Sequence, residues 1–218
     1  PDPAFTTTYS GFVNGESLGT SDIQGQPSLT TPAIATSTVG NYAIVAARGG
    51  LTSTNYDFQF VNAILTINQA VVTVTPDNQS TAYGDDIPVL SVTYTGFANG
   101  ETSTSGILTG APMVTTTASK TSGIGTYPIL ATAGTLSAQN YSFIFTNGQL
   151  TINRAILRVT ANNVSKTYGS ANPDITGYTI SGYKNGEETA TNIVTGSPVA
   201  STLVTNNTAV GTYPITLV

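Results

Sequence analysis

Three Asn-Gly-Glu triplets are the chain's most regular source of chemistry: Asn14-Gly15-Glu16, Asn99-Gly100-Glu101 and Asn185-Gly186-Glu187. Each sets a carboxylate and amide carbonyls beside a turn, and these are the hard oxygen donors that suit calcium. Calcium gathers about six to eight oxygens, so several carboxylates must converge, and each copy of the triplet has too few around it. The other acidic pair of the middle copy, Asp85-Asp86, aligns with Ser170-Ala171 in the third. The triplets therefore read as turns followed by an acidic residue. No metal-ligating residue is expected.

Nucleophilic and acid-base chemistry has little to draw on. Histidine and cysteine are both absent, which removes the usual general base, the usual pH switch, the thiol nucleophile, the disulfide and the thiolate metal site. A serine or threonine nucleophile would then need a lysine base. The lysines are Lys120, Lys166 and Lys184, and the matching positions of the other copies are not lysine. The same mismatch argues against a lysine-to-asparagine isopeptide staple in each copy, leaving open one confined to the third. Glycoside hydrolysis needs two acids about 5–9.5 Å apart. No carboxylate pair recurs in apolar surroundings that would raise a pKa. The sequence thus predicts no catalytic residue, no cofactor-binding residue and no cofactor, and the chain reads as something other than an enzyme.

The recurrent aromatics offer stacking platforms for sugars or bases. They are Tyr9/Tyr94, Phe12/Phe97/Tyr183, Tyr42/Tyr127/Tyr213, Tyr56/Tyr141, Phe58/Phe143 and Tyr83/Tyr168. Repetition in every copy is what a shared core demands, with tyrosine hydroxyls reaching a partner at its edge. Core is the reading adopted.

These residues are positioned by a tandem repeat. SGFVNGES at 10–17 returns as TGFANGET at 95–102 and SGYKNGEE at 181–188. NAILTINQA at 62–70 returns as NGQLTINRA at 147–155, and GNYAI at 40–44 as GTYPI at 125–129 and 211–215. The shift is 85 residues, lengthening to 86 between the second and third copies. Such a period exceeds the roughly 20–50 residues of solenoid units and approaches a small independent domain. The copies are taken as 1–70, 71–155 and 156–218. On this reading the first lacks its opening strand and the third its closing hairpin, as in an excerpt of a longer array. A permuted boundary near Pro1, Asp86 and Pro173 would make the first copy complete; periodicity alone leaves the phase open.

Composition points to folded β structure. Charged residues make up 8%, with six Lys and Arg against eleven Asp and Glu for a net charge of −5. Hydroxyls and amides fill the polar positions, which suits pleated strands and not disorder. The scattered cations form no stripe that would track a phosphate backbone, so nucleic acid is not an expected partner. No apolar run is long enough to span a bilayer, so no membrane insertion is expected of this segment. In the middle copy, strands are predicted at 71–75, 90–97, 113–119, 125–133, 141–146 and 149–155, with turns at Gly, Pro and Asn clusters. Asn147-Gly148 predicts a two-residue hairpin joining the last two strands in antiparallel pairing. Its counterpart Asn62-Ala63 predicts a different turn, since Ala resists a left-handed conformation. Residues 101–108 fit either turns or one short helix. The fold class is all-β: small antiparallel sandwich-like domains in an elongated rod, or a β-grasp-like arrangement with that helix. LTINQAVVTVT at 65–75 and LTINRAILRVT at 150–160 run between copies without Gly or Pro. A stiff joint is expected there.

Taken together, LTINQA, VTVTPDNQSTAYGDDIP, YTGFANGET, GTYPI and NYSFIFTNGQLTINRA resemble the MBG and YDG type repeats of very large bacterial surface and secreted adhesins. The likeness covers essentially the whole chain. It implies an extracellular array, on the bacterial surface or secreted, serving as an adhesin stalk, with a host or matrix protein or glycan bound through other domains. The family offers no catalytic residues. In this reading the partners of each repeat are its neighbours, and each adds on the order of 30–45 Å. The alternative is a repeated glycan- or protein-binding module gaining avidity from tandem weak sites. The loops 30–40 and 115–125 share Thr and Ser but no polar constellation, which favours the stalk.

Overall fold

The computed structural model describes residues 3–189 and 193–218. Its strands, in chain order, are β1 (Ser28–Thr30), β2 (Gly40–Ala47), β3 (Ala63–Ile67), β4 (Ala70–Pro76), β5 (Gln79–Ala82), β6 (Val92–Thr95), β7 (Met113–Thr116), β8 (Gly125–Thr132), β9 (Tyr141–Phe145), β10 (Asn147–Asn153), β11 (Arg158–Ala161), β12 (Tyr178–Ser181), β13 (Ala200–Ser201) and β14 (Thr216–Leu217). The helix among the described residues is a 3₁₀ turn at Glu187–Thr189. Residues 101–108 form turns. The all-β reading stands; the middle repeat has no helix at 101–108, while the matching start of that segment in the third repeat is the 3₁₀ turn at Glu187–Thr189.

Alternation places the core. In β4, Val72 and Val74 are fully buried between half-buried threonines. In β8 the buried positions are Ile129 and Ala131, and in β10 they are Leu150 and Ile152. These are period-two patterns of strands with one apolar face.

The pairing is mixed, not uniformly antiparallel. One sheet has the order β6-β4-β9, with β4 parallel to β9 and Val72 opposite Phe143. Another has the order β5-β10-β8-β7, with β10 parallel to β5 and antiparallel to β8, Leu150 opposite Tyr127. Strand β5 has the sequence QSTA and no apolar alternation, so nothing in its pattern marks it as a strand. In the first repeat β1, β2 and β3 form the counterpart of β7, β8 and β10, with Tyr42 opposite Leu65 in the same register. In the third, β11 pairs antiparallel with β12, and β13 with β14.

The expected hairpin at Asn147-Gly148 is not formed. Both residues lie inside β10, while β9 belongs to the other sheet, so the chain changes sheets between Phe145 and Asn147. Gly148 has no left-handed backbone angle; a Cβ there would stand 2.5 Å from the Pro76 carbonyl oxygen. It is glycine because another strand passes close, and its counterpart Ala63 lies in β3 with no left-handed backbone angle.

By contact the chain forms two compact units: Pro1–Thr75, Thr93–Met113 and Ala131–Thr146 in the first, and Pro76–Val92, Val114–Leu130 and Asn147–Val218 in the second. The first holds β1, β2, β3 and β9 with nearly all of β4 and β6. The second holds β5, most of β7 and β8, and β10 to β14. Between β3 and β4 stand just Asn68 and Gln69, and between β10 and β11 residues 154–157.

Candidate functional site: turns and contacts between repeats

The Asn-Gly-Glu triplets fold alike. Asn14, Asn99 and Asn185 have φ of 53°, 54° and 52°, and Gly15, Gly100 and Gly186 follow at 73°, 73° and 76°. Positive φ at both central residues marks a type I′ turn, for which Asn-Gly is the preferred pair. The Glu16, Glu101 and Glu187 N–H groups donate to the Val13, Ala98 and Lys184 carbonyls at 3.0, 2.9 and 3.0 Å, closing each turn.

The carboxylates then serve tyrosines. In the first unit the Tyr56 hydroxyl donates to Glu16 Oε2 at 2.5 Å, and the Tyr141 hydroxyl donates to Glu101 Oε2. Hydrogen bonding to the carboxylate, chiefly, holds both phenols above their usual pKa, since the anion would lose that bond. Phe12 packs edge-on against Tyr56 at 5.9 Å, and Phe97 against Tyr141 at 5.4 Å. The aromatics so placed are structural. Among the described residues, no group of three or more carboxylates is placed to hold a metal ion.

Glu187 has a different donor. In the second unit it accepts from the Tyr83 hydroxyl at 2.5 Å, a residue of the preceding repeat. Beside it Lys184 Nζ meets Asp85 Oδ1 at 2.6 Å. Tyr83 is fixed by its own N–H, which donates to the Asn153 carbonyl at 2.8 Å where the β5 ladder ends. Gly84, at φ +79° and buried, turns the chain so that Tyr83 and Asp85 both reach the third repeat. A Cβ on Gly84 would lie 2.2 Å from Lys184 Cβ and 2.7 Å from its Cγ. The lysine stem thus lies directly on the glycine.

In the first unit a smaller set joins the first two repeats. Asn140, just before β9, accepts from the Val39 N–H through its Oδ1 at 3.1 Å, and its carbonyl accepts from the Ala70 N–H at 3.0 Å. Gln69 Nε2 donates to the Gln139 carbonyl at 3.1 Å. One asparagine is bonded both to the loop before β2 and to the start of β4.

The remaining candidates have local tasks. Tyr42, Tyr127 and Tyr213 each donate to the carbonyl four residues back, of Thr38, Gly123 and Ala209, at 2.7, 2.9 and 2.9 Å. Lys120 pairs with Asp86 at 2.9 Å on the surface of the second unit. Lys166, the staple candidate of the third copy, donates to the Ser170 and Thr205 carbonyls at 3.1 and 2.8 Å. Asp22 accepts from Ser53 Oγ at 2.6 Å, from the Thr54 N–H at 2.7 Å and from the Thr54 hydroxyl. Those bonds hold its pKa down at about 2. Sequence reasoning missed the Asp85–Lys184 and Tyr83–Glu187 pairs. Lys184 replaces Val13 and Ala98 of the other copies, and a cation at one copy of an otherwise apolar position was the available signal.

A family model described as MBG domain (YGX type) matches residues 1–66, 72–151 and 157–218. No curated protein and no solved structure matches the chain.

Proposed function

Because the chain belongs to the MBG domain family of the YGX type through three consecutive matches, we propose that it is a stalk segment of a bacterial cell-surface or secreted adhesin, holding a binding domain at a distance. Direct contact between successive repeats is the observation that carries this reading. Two residues separate β3 from β4, and Tyr83, Gly84 and Asp85 meet Glu187 and Lys184 with a hydrogen bond, a close backbone approach and an ion pair. A flexible tether is Gly- and Ser-rich and leaves its modules free to reorient. These joints instead fix torsions through contacts on both sides. The side chains with the most chemistry, the three glutamates and the recurrent tyrosines, are engaged by one another, which supports a structural role over catalysis. An extracellular location agrees with the family and with the absence of cysteine. No helix among the described residues is long and apolar enough to cross a membrane.

Small-angle X-ray scattering on the chain, with and without calcium, tests the proposal. A stalk gives a maximum dimension on the order of 100 Å, from three repeats of strand-length size, unchanged by the ion. A compact or calcium-dependent profile would overturn it.

A further inference from the structure

The entry and exit strands of the middle repeat are joined by two parallel ladders. In the first unit β4 pairs with β9, Ala70 opposite Tyr141 and Val74 opposite Phe145. In the second unit β5 pairs with β10, Gln79 opposite Leu150 and Ala82 opposite Asn153. The register is the same in both, each residue standing opposite the one 71 positions on. Side chains keep to it as well: the Thr146 hydroxyl donates to that of Thr75, and the Gln149 N–H donates to Asn78 Oδ1, each at 2.8 Å. Backbone bonds extend the ladders at their outer ends. The Ala70 N–H donates to the Asn140 carbonyl at 3.0 Å, and the Tyr83 N–H to the Asn153 carbonyl at 2.8 Å. Buried side chains shield the bonds from water: Val72 and Val74 of β4, Tyr141 of β9, and Leu150 and Ile152 of β10.

Parallel pairing decides how such a ladder meets tension along the chain. A pull that enters at the start of one strand and leaves at the end of its parallel partner slides the two lengthwise, so the evenly spaced bonds are loaded together. In an antiparallel pair those two points lie at the same end, and the bonds open one after another. Tension along this chain enters the middle repeat at Ala70, two residues after β3, and leaves it at Asn153. We propose that the β4–β9 and β5–β10 ladders are shear clamps that make the middle repeat a load-bearing element, strong toward tension applied through its ends and weak toward tension applied across one end of a ladder. The clamp also gives β5 a task. Its sequence QSTA has no apolar alternation to pack, but its backbone adds four paired positions to those that resist sliding. Resistance to force follows from strand direction and register, so the inference holds whether the chain serves as a stalk or as a binding module.

Single-molecule force spectroscopy of the full chain tests the clamps by changing where the force is applied. The chain has no cysteine of its own, so a pair of introduced thiols gives unique handles. Asn68→Cys with Arg154→Cys loads both ladders lengthwise. Asn68→Cys with Gln139→Cys pulls the β4–β9 ladder open from its leading end. All three positions are exposed, so the two proteins differ in the direction of pulling and not in their cores. Forced unfolding reads the barrier along that direction. At one loading rate the first pair should unfold at about threefold the force of the second or more, because several backbone bonds must be lost together and not in turn. It should do so in one event that releases on the order of 250 Å of chain, the length of the extended repeat. Equal forces from the two pairs, a greater force from the second, or opening of the first in a series of small steps would overturn the clamps.

Discussion

Gly84 gives the sharpest test of a fixed joint, because its counterpart in the third repeat is an internal control. Gly84 and Gly169 both have left-handed φ, +79° and +85°, so alanine at either should cost about 1–2 kcal/mol of backbone strain. Their surroundings differ. A Cβ at Gly169 meets nothing within 4 Å, whereas at Gly84 it lies 2.2, 2.7 and 3.1 Å from Lys184 Cβ, Cγ and Cδ. Because the nearest contact is the lysine's own Cβ, rotating that side chain gives no relief, and the backbones must separate. Overpacking of this kind typically costs about 1–3 kcal/mol. Gly84→Ala should therefore destabilise the second unit by that much more than Gly169→Ala. Native-state hydrogen exchange reads it best, since a multi-repeat chain does not guarantee a single two-state transition. The Glu187 amide and its neighbours in the turn should exchange about fivefold faster or more in Gly84→Ala than in Gly169→Ala. Equal behaviour of the two variants would refute the claim that the lysine stem rests on this glycine.

Two further outcomes follow from single contacts. Gly148→Ala should lose about 1–3 kcal/mol from its clash with the Pro76 carbonyl, while Ala63→Gly should lose just the strand penalty of about 0.5–1 kcal/mol; urea unfolding followed on each variant would contradict the close approach if Gly148→Ala were neutral. Asp22 has a pKa lowered from 3.8 to about 2 by hydrogen bonds from Ser53 and Thr54. A depressed carboxylate contributes stability that is present above the unfolded value and lost as pH falls through the folded one. The thermal midpoint should thus drop more steeply between about pH 4 and pH 2 in the parent chain than in Asp22→Asn, and parallel profiles would rule the contact out as a stabilising one.

Much of the architecture was legible because it repeats. Alternation at 71–75 marks β4, and Asn-Gly at 99–100 marks a turn whose φ values are those the dipeptide favours. The tyrosines of the GTYPI strings reach local carbonyls as edge residues should. What failed was long-range. Asn-Gly at 147–148 carries the same local signal as at 99–100, yet Gly148 answers to Pro76, more than seventy residues away. Strand β5 has no apolar rhythm, since it earns its place through backbone bonds to β10. Parallel pairing of β4 with β9 likewise depends on partners that no local window contains. The joint was hidden for a further reason: comparison of copies rewards what recurs, and Lys184 does not recur.

That last point bears on how the joint works. The two ion pairs among the described residues use adjacent carboxylates, Asp85 toward Lys184 of the next repeat and Asp86 toward Lys120 of its own. Both are substantially exposed, and such pairs typically contribute about 0–1 kcal/mol, less in salt. They cannot supply the cohesion of the joint. Its definition comes from the uncharged part: a glycine with no room for a Cβ, and a tyrosine anchored at the end of β5 that donates to a glutamate fixed by its own turn. Asp86 keeps its partner within its own repeat, so Asp85 is the one carboxylate of the pair that gains a cation from the next repeat. Charge in this sparsely charged chain therefore adds little to the joint, and the uncharged packing holds it.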